Sequence, residues 1–469
     1  MMKVQGINQE NTVFVILSFE GPDRYSLAGG LGVRVSNLAA TLADKGFYTH
    51  LFFIGDHHRA GEQTKNEGKL ILHRWCQWIS QYHPHGVYQG EEEKVIDFTS
   101  SIPSFVVDHI VKPVIRDGKI VVVMAEEWHT AEAICEIGDL LHREGLRHKA
   151  LLLWNANNTF SFDRINWGRL SFVTTITTVS RYMKLVMRHM GIEPLVISNG
   201  IPQELTKPVD EAKVETLKKG FNADTTLFKM ARWDPAKGWR TALETAAQLK
   251  AMGNKIVFPV RGGVESYGGE VLFHAASLGM TVCDVKCTSD NTHDQIKALI
   301  SAQRADILNL NFFIGPELAR IIYASSDSVL ANSYHEPFGL VGLESMAAGG
   351  VTFVGSTGED YARHLENAIV LESSRPDEII ANLIYLRQRP EKTHMIRNAA
   401  RSAAKGFTWE NVVQYHLLPK LECIAWEQRT YKTCRQHEER KQLREVVDIE
   451  NNSEYPWQQS TSESAFSMN

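Results

Sequence analysis

Three clusters of residues have the types and spacings to bind an anionic, hydroxyl-rich ligand. The segment Glu336-Pro337-Phe338-Gly339-Leu340-Val341-Gly342-Leu343-Glu344 follows an apolar run and leads into a helical pattern. Pro337 and Gly339 fix a turn, after which the N–H groups of Phe338, Gly339 and Leu340 can point at phosphate oxygens. Glu336 stands before the helix and Glu344 about one and a half turns inside it. Carboxylates so placed can take sugar hydroxyls at one end and ribose hydroxyls at the other; an N-capping Glu and an exposed helical Glu give the same pattern. Arg232-Trp233-Asp234-Pro235-Ala236-Lys237-Gly238 puts two cations on a loop directly after a strand. The Arg fork and the mobile Lys charge can converge on one diphosphate and stabilise charge growing on it as it leaves. Two solvated charges flanking a Pro turn are the alternative. Ala28-Gly29-Gly30-Leu31-Gly32-Val33 lies between a strand and a helix. Its helix N-terminus suits phosphate, although an ordinary tight turn reads the same way. It is not the dinucleotide GxGxxG pattern, and the nearest acidic residue downstream, Asp56, reads as a loop cap.

The elements that must hold these loops are short β-branched runs alternating with helical patterns, which predicts α/β architecture with mostly parallel sheets. The first series of strands is expected at 12–17, 48–54, 120–124, 151–154, 173–179 and 195–197, with an amphipathic helix after the Gly-rich turn ending at Lys45-Gly46. Continuous apolar runs suit strands covered on both faces. The segment Pro202 to Asp224 is polar and helical, and the hinge is expected there. A second series follows at 227–230, 256–260, 281–285, 307–310, 328–331, 351–354 and 368–371. Two such series imply two doubly wound domains. Between the first two runs of the first series and the third lies a polar, His-rich stretch in which no strand is expected. Trp75, Trp78 and Tyr82 there suit either an insertion whose aromatic faces stack on sugars or a local core. From about Gln436 the composition turns to Gln, Glu, Ser and Asn, which predicts a ragged helix end and then disorder.

The chain has 469 residues, 43% hydrophobic and 22% charged, with a formal net charge of -5. That length predicts two to four domains of an ordinary globular protein, and that charge argues against a dedicated nucleic-acid binder. The six cysteines at 76, 135, 283, 287, 423 and 434 show no zinc spacing and read as reduced thiols. No signal-peptide pattern and no apolar run of about 18 residues is visible, so a cytoplasmic protein without a transmembrane segment is expected. His57-His58-Arg59 and Lys184 with Arg188 and His189 are basic clusters that suit an anionic acceptor or peripheral membrane contact, or simply a solvated face.

Taken together and in this order, the motifs resemble the GT-B retaining glycosyltransferases, in particular glycosyltransferase family 4 (group 1), with the glycogen and starch synthases as relatives. The resemblance rests on Tyr323-Ala324-Ser325-Ser326-Asp327, Glu336 through Glu344, Ala347-Ala348-Gly349 and Thr357-Gly358, and on Arg232 and Lys237-Gly238 as the R-x4-KG loop. Ser198-Asn199-Gly200-Ile201, the Gly-Gly-Leu-Gly loop and Phe407-Thr408-Trp409-Glu410 complete it, so that it covers roughly 12–429. It implies a GT-B fold in which two Rossmann-like, doubly wound domains face a central cleft, and a C-terminal helix crosses back to the first. The expected bounds are 1–203 for the acceptor-side domain, 204–408 for the nucleotide-sugar domain, 409–435 for the crossover helix and 436–469 for the tail.

The resemblance also implies roles. Gly30 and Gly32 lie near the donor phosphate, Arg232 and Lys237 hold the diphosphate, Glu336 binds the transferred sugar and Glu344 the ribose. The implied reaction transfers a hexosyl group from a nucleotide diphosphate sugar to a sugar, glucan or lipid-linked acceptor. Configuration is retained, with neither metal nor cofactor, and no DxD-type metal motif stands in a suitable place. The Gly-Gly-Leu-Gly loop leans toward glucose from ADP- or UDP-glucose, with GDP-mannose next.

Two segments depart from the synthases. Glu126-Glu127-Trp128-His129-Thr130 resembles their H-D-W-H, with Glu126 for the first His and Glu127 for Asp. Trp154-Asn155-Ala156-Asn157-Asn158-Thr159 takes the place of their T-I-H-N. Asn157 stands at the sugar-facing His and Asn158 at the following Asn. An Asn donates and accepts hydrogen bonds but carries no proton or charge. His129 suits a compensating role, or a buried and satisfied one beside Trp128. A catalytically quiet nucleotide-sugar binder is therefore the second reading. A nucleotide-sugar epimerase is the third, and the set Arg232, Lys237, Glu336 and Glu344 speaks against it.

Overall fold

The computed structural model describes residues 6–428. In the N-terminal half, β1 (Thr12–Leu17), β2 (Tyr48–Ile54), β3 (Glu62–Lys65), β4 (Leu70–Trp75), β5 (Ile120–Glu126), β6 (Ala150–Ala156), β7 (Thr175–Thr178) and β8 (Leu195–Val196) form one sheet. Its order is β3-β4-β2-β1-β5-β6-β7-β8. The second half carries β9 (Thr225–Met230), β10 (Ile256–Arg261), β11 (Val282–Val285), β12 (Ile307–Leu310), β13 (Ser328–Ala331), β14 (Thr352–Val354) and β15 (Ile369–Val370). Their order is β11-β12-β10-β9-β13-β14-β15. Within both sheets neighbouring strands run parallel, except that β3 is antiparallel to β4. Every residue of β1 is buried, as expected when helices cover both faces of a sheet. No strand falls between Pro202 and Asp224; a turn at Gln203–Thr206 and the helix Glu211–Phe221 occupy that hinge segment.

β3 and β4 are the correction to the sequence reading, which expected no strand in the His-rich stretch. All four β3 residues, Glu-Gln-Thr-Lys, are exposed, and a charged outermost strand is a common way to blunt a sheet edge. β4 breaks its apolar run with His73 and Arg74, both buried. His73 Nε2 stands 3.0 Å from His50 Nδ1 and stacks on Phe52. Burial lowers His50 to about 4 and His73 to about 3, so both rings are neutral near pH 7. Arg74 is paired with Asp23 at 2.6 Å. Of the aromatic residues in this stretch, Trp75 packs against Phe52 and Phe105, while Trp78 and Tyr82 are exposed.

The return to the first half begins where Ile201 N–H donates to Phe407 O (2.9 Å) and Trp409 N–H donates to Ile201 O (3.0 Å). A Cβ at Gly200 would sit 2.9 Å from Trp409, so this close approach requires glycine. Trp409 then lies under the Arg34 guanidinium of the helix Gly30–Asp44, 5.6 Å from ring centroid to carbon. The chain divides into two units after Pro419. Residues 420–428 are helical and belong to the second unit. The rest of the expected crossover helix and the tail lie outside the described residues. Cys76, Cys135, Cys283, Cys287 and Cys423 are free thiols.

Candidate active site between the two sheets

In each sheet the strand order reverses direction at one point, β1/β5 in the first and β9/β13 in the second. Ligands of doubly wound sheets bind beyond the carboxyl ends of the strands at such points. The loops leaving β1, β9 and β13, joined by the loop after β6, line one cleft of about 400 Å³. Gly30, Asn157, Asn158 and Asn199 come from the first half, and Arg232, Lys237, Glu336, Phe338, Gly339 and Leu340 from the second. The structure thus brings together most of the residues that the sequence singles out. Gly32, Glu344 and His129 are not among the lining residues.

On the second half's wall, Lys237 Nζ lies 2.7 Å from Glu336 Oε2. Asp234 caps the turn Pro235–Lys237 through Ala236 N–H at 2.8 Å. Gly238 follows at φ +67, where a Cβ would stand 2.2 Å from Asn332 O. Trp233 and Trp239 pack beneath this loop with their rings tilted by 39° and centroids 4.2 Å apart, and Trp239 Nε1 donates to Arg232 O (2.8 Å). The Arg232 side chain itself projects into solvent at the cleft mouth, 67% exposed. Glu336 is held by its backbone: its N–H donates to Thr357 Oγ1 (3.0 Å), and its carbonyl accepts from Gly358 N–H (2.8 Å).

Gly339 adopts φ +78 and Tyr361 Oη donates to its carbonyl at 2.5 Å. The turn therefore opens the helix Leu340–Ala348 toward the cleft. Among the described residues no acceptor takes the N–H groups of Phe338, Gly339 or Leu340, which leaves a helix N-terminus free for an anion. The Phe338 ring is buried against Tyr361 and Phe407. Glu344 is outside the cleft lining and partly buried, with Tyr323 Oη at 3.5 Å from its Oε2, the outer limit of a hydrogen bond. Burial raises its carboxyl to about 7.

Two further groups on this wall escaped the sequence reading. Lys229 is 1% exposed and donates to Asn332 Oδ1 (2.6 Å) and Leu330 O (3.0 Å). Burial, and then repulsion from Lys237, lower its amine to about 7. Its signal was a lone cation inside the apolar run of β9. Glu359 also lines the cleft at 7% exposure; its Oε2 accepts from Thr357 N–H (3.1 Å) and its Oε1 has no partner. Burial, with the charge of Glu336, raises it to about 7.

The first half's wall corrects the expectation for the Gly-rich loop. Glu20, buried just after β1, accepts from Ala28 N–H (3.2 Å), Gly29 N–H (2.8 Å) and Gly32 N–H (3.0 Å) through Oε2. Its Oε1 accepts from Tyr88 Oη at 2.5 Å. An internal carboxylate thus occupies part of the helix N-terminus expected for phosphate, and Gly32 is buried behind it. Gly30 lines the cleft. Asp56 accepts from His58 N–H at 2.9 Å, the loop-cap role expected of it.

His129 is packed rather than poised: it stacks on Phe19 (4.2 Å) and Trp128 (4.0 Å), and its Nε2 meets Glu91 Oε1 at 2.8 Å. Burial lowers its basicity despite that carboxylate. Asn157 is gripped twice, its N–H donating to Glu127 Oε1 (2.6 Å) and its Nδ2 to Glu126 Oε2 (2.8 Å). Glu127 holds φ +66 and ψ 171, a region almost confined to glycine. Burial raises its carboxyl to about 8 against the bond from Asn157. Lys184 and Arg188 both pair with Glu193 at 2.5 Å, so that basic cluster is internally neutralised in part. Among the described residues no group of three or more His, Cys, Asp or Glu is gathered as for a metal ion, and no helix is long and apolar enough to cross a membrane.

This architecture is the GT-B fold. The catalytic domain of starch synthase IV from Arabidopsis thaliana, bound to ADP and acarbose, is similar at a TM-score of 0.61 and 15% identity, covering 88% of this chain and 99% of that one. Sucrose-phosphate synthase from Thermosynechococcus elongatus matches at a TM-score of 0.61 and 16% identity, over 88% of this chain and 100% of that one. Residues 215–403 match the family described as glycosyl transferases group 1. Residues 215–403, most of the second half, are therefore a group 1 glycosyltransferase domain. An uncharacterized glycosyltransferase of Methanocaldococcus jannaschii is 31% identical over 114 residues, 24% of this chain; the match spans 29% of that relative's length.

Proposed function

We propose that this chain is a cytoplasmic, retaining glycosyltransferase of family 4. It moves a hexosyl group, glucose first, from a nucleotide diphosphate sugar to a sugar, glucan or lipid-linked acceptor without metal or cofactor. The observation that carries the reading is the meeting of Lys237, Glu336 and the free N–H groups of Phe338–Leu340 in one cleft faced by Asn157 and Asn158, with Arg232 at its mouth. Arg232, Lys237 and the helix N-terminus supply positive charge for a diphosphate, and Glu336 supplies acceptors for sugar hydroxyls. The bond from the sugar's anomeric carbon to the diphosphate breaks while a bond to the acceptor oxygen forms on the same face. The acceptor's proton passes to the departing diphosphate. Glu344 keeps the ribose role only if Tyr323 releases it.

A quiet nucleotide-sugar binder is the second reading, favoured by Asn157, whose amide cannot carry a proton. Incubation with ADP-, UDP- and GDP-sugars and a panel of sugar, glucan and lipid-linked acceptors separates the two. Released nucleoside diphosphate together with a product of unchanged anomeric configuration by NMR supports transfer. Binding without any product supports the quiet binder, and an inverted product rejects the retaining assignment.

A further inference from the structure

Beneath Asn157 lies a buried ion pair that neither the fold nor the nucleotide-sugar reading requires. Arg34 Nε donates to both oxygens of Glu126, at 3.0 and 3.2 Å, with the two side chains 1% and 0% exposed. Glu126 Oε2 also accepts from Asn155 Nδ2 (2.9 Å) and Asn157 Nδ2 (2.8 Å). Asn155 Oδ1 in turn accepts from Thr177 Oγ1 (2.9 Å). On the other side Arg34 Nη1 donates to Asn199 Oδ1.

These contacts decide which way two amides face. A carboxylate ringed by N–H donors can only accept, so Asn157 must turn its NH₂ inward and its carbonyl outward. A guanidinium can only donate, so Asn199 must turn its carbonyl inward and its NH₂ outward. Both asparagines line the cleft. Asn157 Oδ1 and Asn199 Nδ2 have no partner among the described residues, and neither atom is sealed from solvent.

We infer that Arg34 and Glu126 are positioning residues that set the polarity of the cleft wall. Asn157 presents a fixed acceptor and Asn199 a fixed donor, so the sugar is read there through hydroxyl groups and a carboxylate is rejected. A hydroxyl donates to Asn157 Oδ1, and a hydroxyl oxygen accepts from Asn199 Nδ2. A carboxylate against Asn157 would set oxygen against oxygen, with the flip that relieves it blocked by Glu126. The inference rests on the nucleotide-sugar reading and narrows it to neutral hexoses over hexuronates.

The test is calorimetric titration of the full chain with ADP-, UDP- and GDP-glucose, the corresponding glucuronates and the free nucleoside diphosphates. For the base that binds, the wild type is expected to hold the glucose form at least about tenfold tighter than the glucuronate. Glu126→Gln, whose amide lets Asn157 flip, is expected to narrow that ratio several-fold. If that buried change prevents folding, Asn157→Leu at its partly exposed position carries the same expectation. A glucuronate that binds the wild type as tightly as glucose overturns the inference, as does a ratio left unchanged in Asn157→Leu. Failure of every nucleoside diphosphate to bind overturns the nucleotide-sugar reading itself and this inference with it.

Discussion

Lys237 Nζ and Glu336 Oε2, 99 positions apart in the chain, meet at 2.7 Å on the cleft wall. A diphosphate that recruits Lys237 must therefore draw it from a carboxylate. Removing that charge frees the amine and lifts repulsion on the incoming anion. Glu336→Gln is expected to bind free nucleoside diphosphate about three- to tenfold tighter, yet to lose about 100-fold or more in sugar transfer. Lys237→Ala is expected to weaken diphosphate binding about tenfold or more. Calorimetry and initial rates read both, and weaker diphosphate binding by Glu336→Gln would count against the arrangement.

Two buried groups in the cleft titrate with the same consequence for an anionic ligand. Lys229, held at about 7, sheds positive charge as pH rises, and Glu359, also at about 7, gains negative charge. Affinity for a nucleotide sugar, whose diphosphate is a diester, should fall by roughly tenfold between pH 6 and 8. Glu359→Gln should flatten that fall. Binding that strengthens across the same interval would contradict both assignments.

The same groups make opposite contributions to folding. Glu359 sits above its ordinary value of 4.5, so its stabilising share is full below that value and is lost as pH rises through about 7. Relative to the wild type, Glu359→Gln should gain on the order of 3 kcal/mol from pH 4.5 to 7.5. Lys229 sits below its ordinary 10.5, so the unfolded chain holds the extra proton between about 7 and 10.5 and stability rises with pH there. Relative to Lys229→Met, the wild type should therefore gain across that window. Denaturant melts at several pH values measure each difference.

Glu20 acts as a built-in anion at the Gly-rich loop. Glu20→Ala leaves the N–H groups of Ala28, Gly29 and Gly32 without their acceptor and should cost about 1–3 kcal/mol of stability. Thermal melting checks this, and an unchanged midpoint would show that the loop is held by other contacts.

Most of the fold was legible because the strands are buried on both faces and read as apolar runs; Tyr48–Ile54, Ile307–Leu310 and Ser328–Ala331 lie where expected. β3 carries no apolar residue and β4 hides His73 and Arg74 in the core, so neither gave that signal. The second half's cleft wall was legible because Arg232 and Lys237 share the loop directly after β9 and Glu336 stands on the loop after β13. The first half's wall was not. Its polarity comes from Arg34, four residues before Leu38 on the buried face of its helix, and from Glu126 at the end of an apolar strand. Charged residues in apolar patterns marked both, but only the third dimension shows that they meet. Glu344 and His129 follow the motif spacing, yet local packing turns Glu344 to Tyr323 and buries His129 against Phe19.

The central claim is that Arg232 and Lys237 hold a nucleotide diphosphate in this cleft. Calorimetric titration of ADP-, UDP- and GDP-glucose into the wild type and the Arg232→Ala/Lys237→Ala double variant tests it most directly. The account predicts micromolar-range binding of at least one of them by the wild type, and loss of at least about a hundredfold in the double variant. No binding to the wild type, or equal binding by the variant, would contradict it.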